Sequence, residues 1–109
     1  MFVQIRTMIV ELGHSDSIIE RWGSPGPQDQ MPGFVDVSVL LNRKYSADEE
    51  EVVIITRWDS EEAWKGWEKS DVHIQMHRQG RTQQRPSFIK DIKVKLYHQK
   101  AARNGSISL

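Results

Sequence analysis

Four runs of the chain alternate between apolar and other side chains, with segments of helical period between some of them, and this order restricts the folds available more than any other feature. Residues 2–10 set Val3, Ile5 and Ile9 on one side and Gln4, Arg6 and Met8 on the other, the two-residue period of a half-buried strand. Phe34 to Leu41 reads FVDVSVLL with Val35, Val37 and Val39 in phase, VVIITRW at 52–58 is β-branched, and IKDIKVKLY sets Ile92, Val94 and Leu96 inward against Lys93 and Lys95. Between the first two runs lies Gly13, then Ser15 and Asp16 as expected caps, and Ile18, Ile19 and Trp22 at helical spacing before the breakers GSPGPQ. The acidic loop KYSADEE makes a hairpin of the second and third runs. Ser60 caps EEAWKGW, whose two leading glutamates suit the helix dipole, and Ser70 and Asp71 restart a helix through VHIQMHRQ as far as Gly80. RTQQRPS, 81–87, is a polar connection to the last run.

The resulting order, β-α-β-β-α-β with the second helix broken in two, predicts an α+β fold: a ferredoxin-like antiparallel sheet with its helices on one face. The domain is expected over residues 1–98, with 99–109 as a flexible tail. The Val35/Val37/Val39 and Val3/Ile5/Ile9 rows cannot both lie under the same two helices as Phe34, Leu40, Val52 and Ile54. An apolar second face is therefore expected, covered by a second copy in a homodimer whose sheets pack face to face.

Composition removes several classes of function. The 15 basic and 15 acidic residues balance, and no basic run occurs, so neither nucleic acid nor an anionic membrane is an expected partner. The chain has no cysteine, which excludes disulfides, thiolate nucleophiles and thiolate-held zinc and points to a reducing cytoplasm. The opening MFVQIRTMIVEL shows neither a basic leader nor a cleavage site, and no segment has the ~20 apolar residues of a membrane span. What remains for chemistry is His, Trp, Arg and carboxylates, with four Trp among 109 residues.

These concentrate in WKGWEKSDVHIQMHR, residues 64–78. Trp64 and Trp67 stand i, i+3 on one helix and Val72 and Met76 i, i+4 on the next, a spacing that a packed core explains. His73 and His77 share a helix face and suit a bare metal, yet a metalloprotease arrangement needs a glutamate after the first His, where Ile74 stands, and a third ligand. A flat aromatic cofactor such as a porphyrin is the third reading: it needs an apolar slot, an imidazole for its iron and a bulky group against its face.

GWEKSDVHIQMH, residues 66–77, resembles the signature of heme-degrading monooxygenases of the IsdG/HmoA type in the antibiotic-biosynthesis-monooxygenase superfamily, most like the HmoA branch. IRTMIVELGHSDSIIERW, MPGFVDVSVL, EVVIITRWDSEEAWKGW and IKVKLY are similar to that family in the same order, so the resemblance spans roughly residues 2–98. It implies a dimeric α+β barrel that binds heme as both cofactor and substrate, takes dioxygen and electrons from an external donor, and opens the porphyrin with release of iron. His77 is implied as the iron ligand, and Trp67 as the ring that presses on and ruffles the porphyrin. Met76 is expected beside them in the heme pocket. The family's strand-one asparagine is replaced by Arg6, a longer cation that only donates. Arg6 is expected to act on a ligand of the iron, reach a propionate, or pair with a carboxylate such as Asp36. Arg21, Lys69, Arg78 and Arg81 are further propionate candidates. The competing readings are a cofactor-free monooxygenase on a phenol or quinol, and a heme-sequestering module without turnover.

Overall fold

The computed structural model describes residues 1–82 and 85–106, and the side chains of these apart from residues 80–82. The elements are β1 (Phe2–Glu11), α1 (Ser15–Gly23), a single 3-10 turn (Pro27–Gln30), β2 (Phe34–Leu41), β3 (Glu49–Trp58), α2 (Glu61–Glu68), α3 (Asp71–Thr82) and β4 (Ile89–His98). All pairings are antiparallel, in the order β2-β3-β1-β4. This is the expected α+β, ferredoxin-like architecture with a divided second helix. No described helix is long and apolar enough to cross a membrane.

The even-numbered residues of β1 and β3 face the helices. Met8, Val10, Val52 and Ile54 form one buried cluster with Ile18 of α1, while Phe2 and Trp58 form a second with Trp67 of α2. Val10, Val52 and Trp58 are wholly buried, and burial of side chains this size stabilises by about 1.5–3 kcal/mol each. Between the two clusters the same face of the sheet carries Gln4, Arg6 and Thr56, polar residues where the period demands apolar ones.

β2 differs from its sequence pattern. A register shift between Phe34 and Asp36 makes Val35 the extra residue of a bulge, so Val37 and Val39 share the helix side with Phe34. They were expected on the open face, and Leu40, expected beneath the helices, is 45% exposed on the other side. One inserted residue inverts the phase of the rest of the strand. The open face keeps an apolar patch, with Ile5 opposite Ile55 and Leu40 opposite Val53, beside the Asp36–Arg57 pair. On β4, Ile92 reaches the core as expected, but Val94 and Leu96 are exposed, because α1 and α2 pack over β2 and β3 and leave that edge uncovered.

Local signals also needed correction. The Ser15/Asp16 cap does not form within the helix: the N-cap position is His14, which makes no side-chain cap bond. The Glu50 carboxylate does the capping from β3, accepting from Gly13 N–H at 2.8 Å and from Ser15 Oγ at 2.9 Å. Ser60 caps α2 as expected, accepting from Ala63 N–H at 3.1 Å. β3 begins at Glu49 rather than 52, since the backbones of Glu49, Glu50 and Glu51 pair with Glu11, Val10 and Ile9 of β1 whatever their side chains. α3 continues past Gly80 to Thr82. The remainder of the expected polar connection includes residues 83 and 84, outside the described residues, as are 107–109 of the tail.

Candidate functional site

α2 and α3 meet at Lys69 and Ser70, where the chain turns without leaving helical contact: Lys69 N–H donates to the Lys65 carbonyl, and Ser70 N–H and Oγ donate to the Trp67 carbonyl. Ser70 Oγ in turn accepts from His73 N–H at 3.2 Å, so one serine closes α2 and opens α3. The turn swings α3 away from the sheet. Val72 and Met76, which their spacing offered as core, are 47% and 44% exposed, because α3 packs on the end of α2 and spans a gap.

That gap is a cavity of about 540 Å³, within the size range of small-molecule sites. Its floor is Gln4 and Arg6 of β1, Val37 of β2 and Thr56 of β3; one wall is Arg21, Trp22 and the turn from Ser24 to Asp29; the other is Trp67, Glu68, His73, Met76 and His77. The expected site residues Arg6, Trp67, Met76 and His77 thus line one space. Trp67 is 7% exposed, packed against Phe2 and Trp58 on its inner side, which makes it core and cavity wall at once. Trp64, with its ring 5.1 Å from Phe2, belongs to the core.

Arg6 does not meet Asp36. Asp36 lies on the opposite face, where Arg57 Nε donates to it at 2.8 Å and holds its carboxyl below the usual carboxylate range. The odd and even phases of β1 and β3 separate the two arginines by the thickness of the sheet. Arg6 instead places its guanidinium 5.1 Å over the Trp22 ring, a cation–π contact. Burial pushes its pKa down, the nearby Glu68 charge opposes that, and Arg21 adds to it. Arg21 shares the cavity; Lys69 points to solvent, Arg78 borders a smaller recess behind the histidines, and the side chain of Arg81 is outside those described.

The histidines are joined. His73 Nε2 lies 3.1 Å from His77 Nε2, and His73 Nδ1 lies 3.2 Å from the Glu68 carbonyl oxygen. A carbonyl only accepts, so His73 carries a proton on Nδ1. The sequence reading lacked a third ligand for this pair; Glu68, five residues before His73, supplies a carboxylate 3.5 Å from its ring. The helix break carries Glu68 back over α3, a closure that linear spacing does not show. Also unforeseen were Trp22 and the turn after it as a cavity wall. The polar residues Gln4 and Arg6 in the core-facing phase of β1 were the available signal.

A family model described as antibiotic biosynthesis monooxygenase matches residues 1–79. The chain is 41% identical over 106 residues to the heme-degrading monooxygenase HmoA of Bacillus subtilis (strain 168), with 97% of each chain covered. Among solved structures, an antibiotic biosynthesis monooxygenase from Bacillus cereus superimposes with a TM-score of 0.82 at 34% identity, over 98% of both chains. The heme-degrader MhuD from Mycobacterium tuberculosis, with two hemes bound in its active site, superimposes with a TM-score of 0.65 over 95% of this chain and 100% of that one; at 19% identity this speaks for the fold alone. On the match over most of its length and the near-complete coverage of its relatives, this chain belongs to the antibiotic biosynthesis monooxygenase family.

Proposed function

We propose that this protein is a heme-degrading monooxygenase: it binds heme between the helices and the sheet through His77, and opens the porphyrin with dioxygen and electrons from an external donor, releasing iron. The observation that carries the reading is the convergence of Trp67, His77, Met76 and two arginines on one cavity. The relatives named for heme degradation support the substrate. The residues present fit the group. Imidazole is a ligand for iron, the indole and thioether offer apolar contact to a flat ring, and Arg6 and Arg21 offer charge to its carboxylates.

Heme, as both substrate and cofactor, supplies the oxidative chemistry, while the chain supplies position and electrostatics. His77, on an exposed face of α3, would hold the iron end. Trp67 is held from behind by Phe2 and Trp58, so it would meet the face of a bound ring as a wall that does not yield. Arg6, a half-buried cation facing Trp22, gains most from an anionic partner, and a propionate is the group that heme provides. The open sheet face of Val3, Ile5, Ile9, Ile55 and Leu40 supports a homodimer, to be read by sedimentation at micromolar concentration, where a strictly monomeric species removes it.

Hemin titration tests the central reading. A Soret band saturating near one heme per protomer is expected, lost in His77→Ala, and bleached by ascorbate in air. Absence of binding at micromolar hemin would refute the substrate. A bound heme that survives reductant and oxygen would refute the turnover and leave a sequestering module.

A further inference from the structure

The geometry points to a second use of His77: with His73 and Glu68 it forms a site for a bare divalent transition-metal cation, built into the helix break and independent of any porphyrin. The ligand atoms of the three residues all lie within 4.8 Å of one another. Two imidazoles and one carboxylate are a ligand set that zinc, cobalt and ferrous iron accept.

The protonation pattern shows why the site is suited to a cation. His73 keeps its Nδ1 proton against the Glu68 carbonyl, so its Nε2 presents a bare lone pair, and that lone pair faces His77 Nε2 at 3.1 Å. At that distance one nitrogen must donate a proton and the other accept it. A metal at ~2.05 Å from each nitrogen in tetrahedral geometry sets them roughly 3.3 Å apart, so a cation takes the place of that proton with a shift of about 0.2 Å. The same Nδ1–H to carbonyl bond is the kind of outer contact that fixes a ligating histidine's tautomer and ring plane. The Trp67 ring, 4.9 Å from the His73 ring, limits its rotation further. The Glu68 carboxylate, 3.5 Å from His73 Nδ1 and with a ligand atom within 4.8 Å of those of both histidines, would turn from Nδ1 toward the Nε2 pair to close the third corner. The fourth position opens toward the two recesses that His73, His77 and Glu68 both line, leaving room for water. Arg78 borders the smaller recess and its charge opposes a cation there, an effect the Glu68 carboxylate offsets.

The site has a consequence for the proposed reaction, resting on the heme reading above: because His77 is common to both, a bound cation and heme exclude each other. An iron atom freed from its porphyrin at His77 finds His73 and Glu68 already beside it.

The test is a calorimetric titration of the heme-free protein with Zn²⁺, repeated with Co²⁺ followed by its visible absorption. One ion per protomer is expected, with the intense absorption of a four-coordinate site for Co²⁺. His73→Ala and Glu68→Gln are expected to weaken Zn²⁺ binding by at least about 100-fold and about 10-fold respectively, since loss of a direct ligand exceeds the 10–100-fold typical of outer-contact losses and an amide remains a weak ligand. Circular dichroism confirms that each variant is folded, and His98→Ala, at the end of β4 beside Glu61 and Phe2, is the control expected to bind as the parent does. Zn²⁺ is expected to compete with hemin in the parent chain. No Zn²⁺ binding by the parent at 100-micromolar order, or equal binding by His73→Ala and Glu68→Gln, overturns the proposal. Zn²⁺ binding without hemin binding upholds this site and sinks the heme reading, while hemin binding without Zn²⁺ binding does the reverse.

Discussion

Gly33→Ala probes the joint on which the cavity depends. Gly33 sits at φ +84°, just before β2, and its carbonyl accepts from Asp59 N–H at 2.8 Å. A Cβ there would lie 2.5 Å from the Ala63 Cβ and 2.5 Å from Asp59 Oδ1, so the substitution carries two costs. A left-handed conformation for a residue with Cβ costs about 1–2 kcal/mol, and overpacking against a helix costs about 1–3 kcal/mol more. The sum, about 2–5 kcal/mol, is a large part of the ~5–15 kcal/mol that holds a domain of this size. Urea denaturation followed by tryptophan fluorescence should show a midpoint lower by about 1–2.5 M, for an m-value of about 2 kcal/mol/M. Gly66→Ala is the contrast: Gly66 lies inside α2, its Cβ would meet nothing within 4 Å, and stability should rise by about 0.5–1 kcal/mol. Because Gly33 ties the turn wall to the helix bearing Trp67, hemin affinity should fall in Gly33→Ala even where folding is complete. A midpoint within the error of the parent, or a loss as large in Gly66→Ala, would refute the reasoning.

Other outcomes follow from the remaining contacts. Ser60→Ala removes the α2 cap and should cost about 1 kcal/mol in the same denaturation, with no change meaning that the Ala63 N–H finds water instead. The Glu50 carboxyl is held below its ordinary pKa by Ser15 Oγ and the Gly13 N–H, so its contribution is present above the usual carboxylate range and lost as pH falls through the lowered value. Glu50→Gln should therefore be less stable at neutral pH and show a shallower acid loss; identical slopes would dismiss Glu50 as the cap of α1. Trp67→Phe keeps an aromatic wall and should hold hemin affinity near the parent while slowing its bleaching, a rate unchanged by the substitution being the result against a ruffling role.

Element order was legible because each run carries its own period, and the strand and helix bounds follow within a few residues. The grouping of Trp67, Met76 and His77 came from the family resemblance of the stretch that carries them, and the structure brings the three to one cavity across the break between α2 and α3. The polar phase of β1 was also visible, though only the structure shows Gln4 and Arg6 as the cavity floor.

What the sequence by itself determined is therefore periodic or contiguous: four strands, a divided helix, and a wall of aromatic and imidazole side chains, all set by interactions between near neighbours along the chain. Tertiary structure alone decided which partner each polar group found. It gave Asp36 to Arg57 and set Arg6 over Trp22, capped α1 from β3 through Glu50, and brought Glu68 back to His73. It also turned Val37 and Val39 inward through a single bulged residue. The physical reason is common to all of these: a strand's face is fixed by counting in twos, so one extra residue or one helix break reassigns every contact beyond it, and no local signal records that shift.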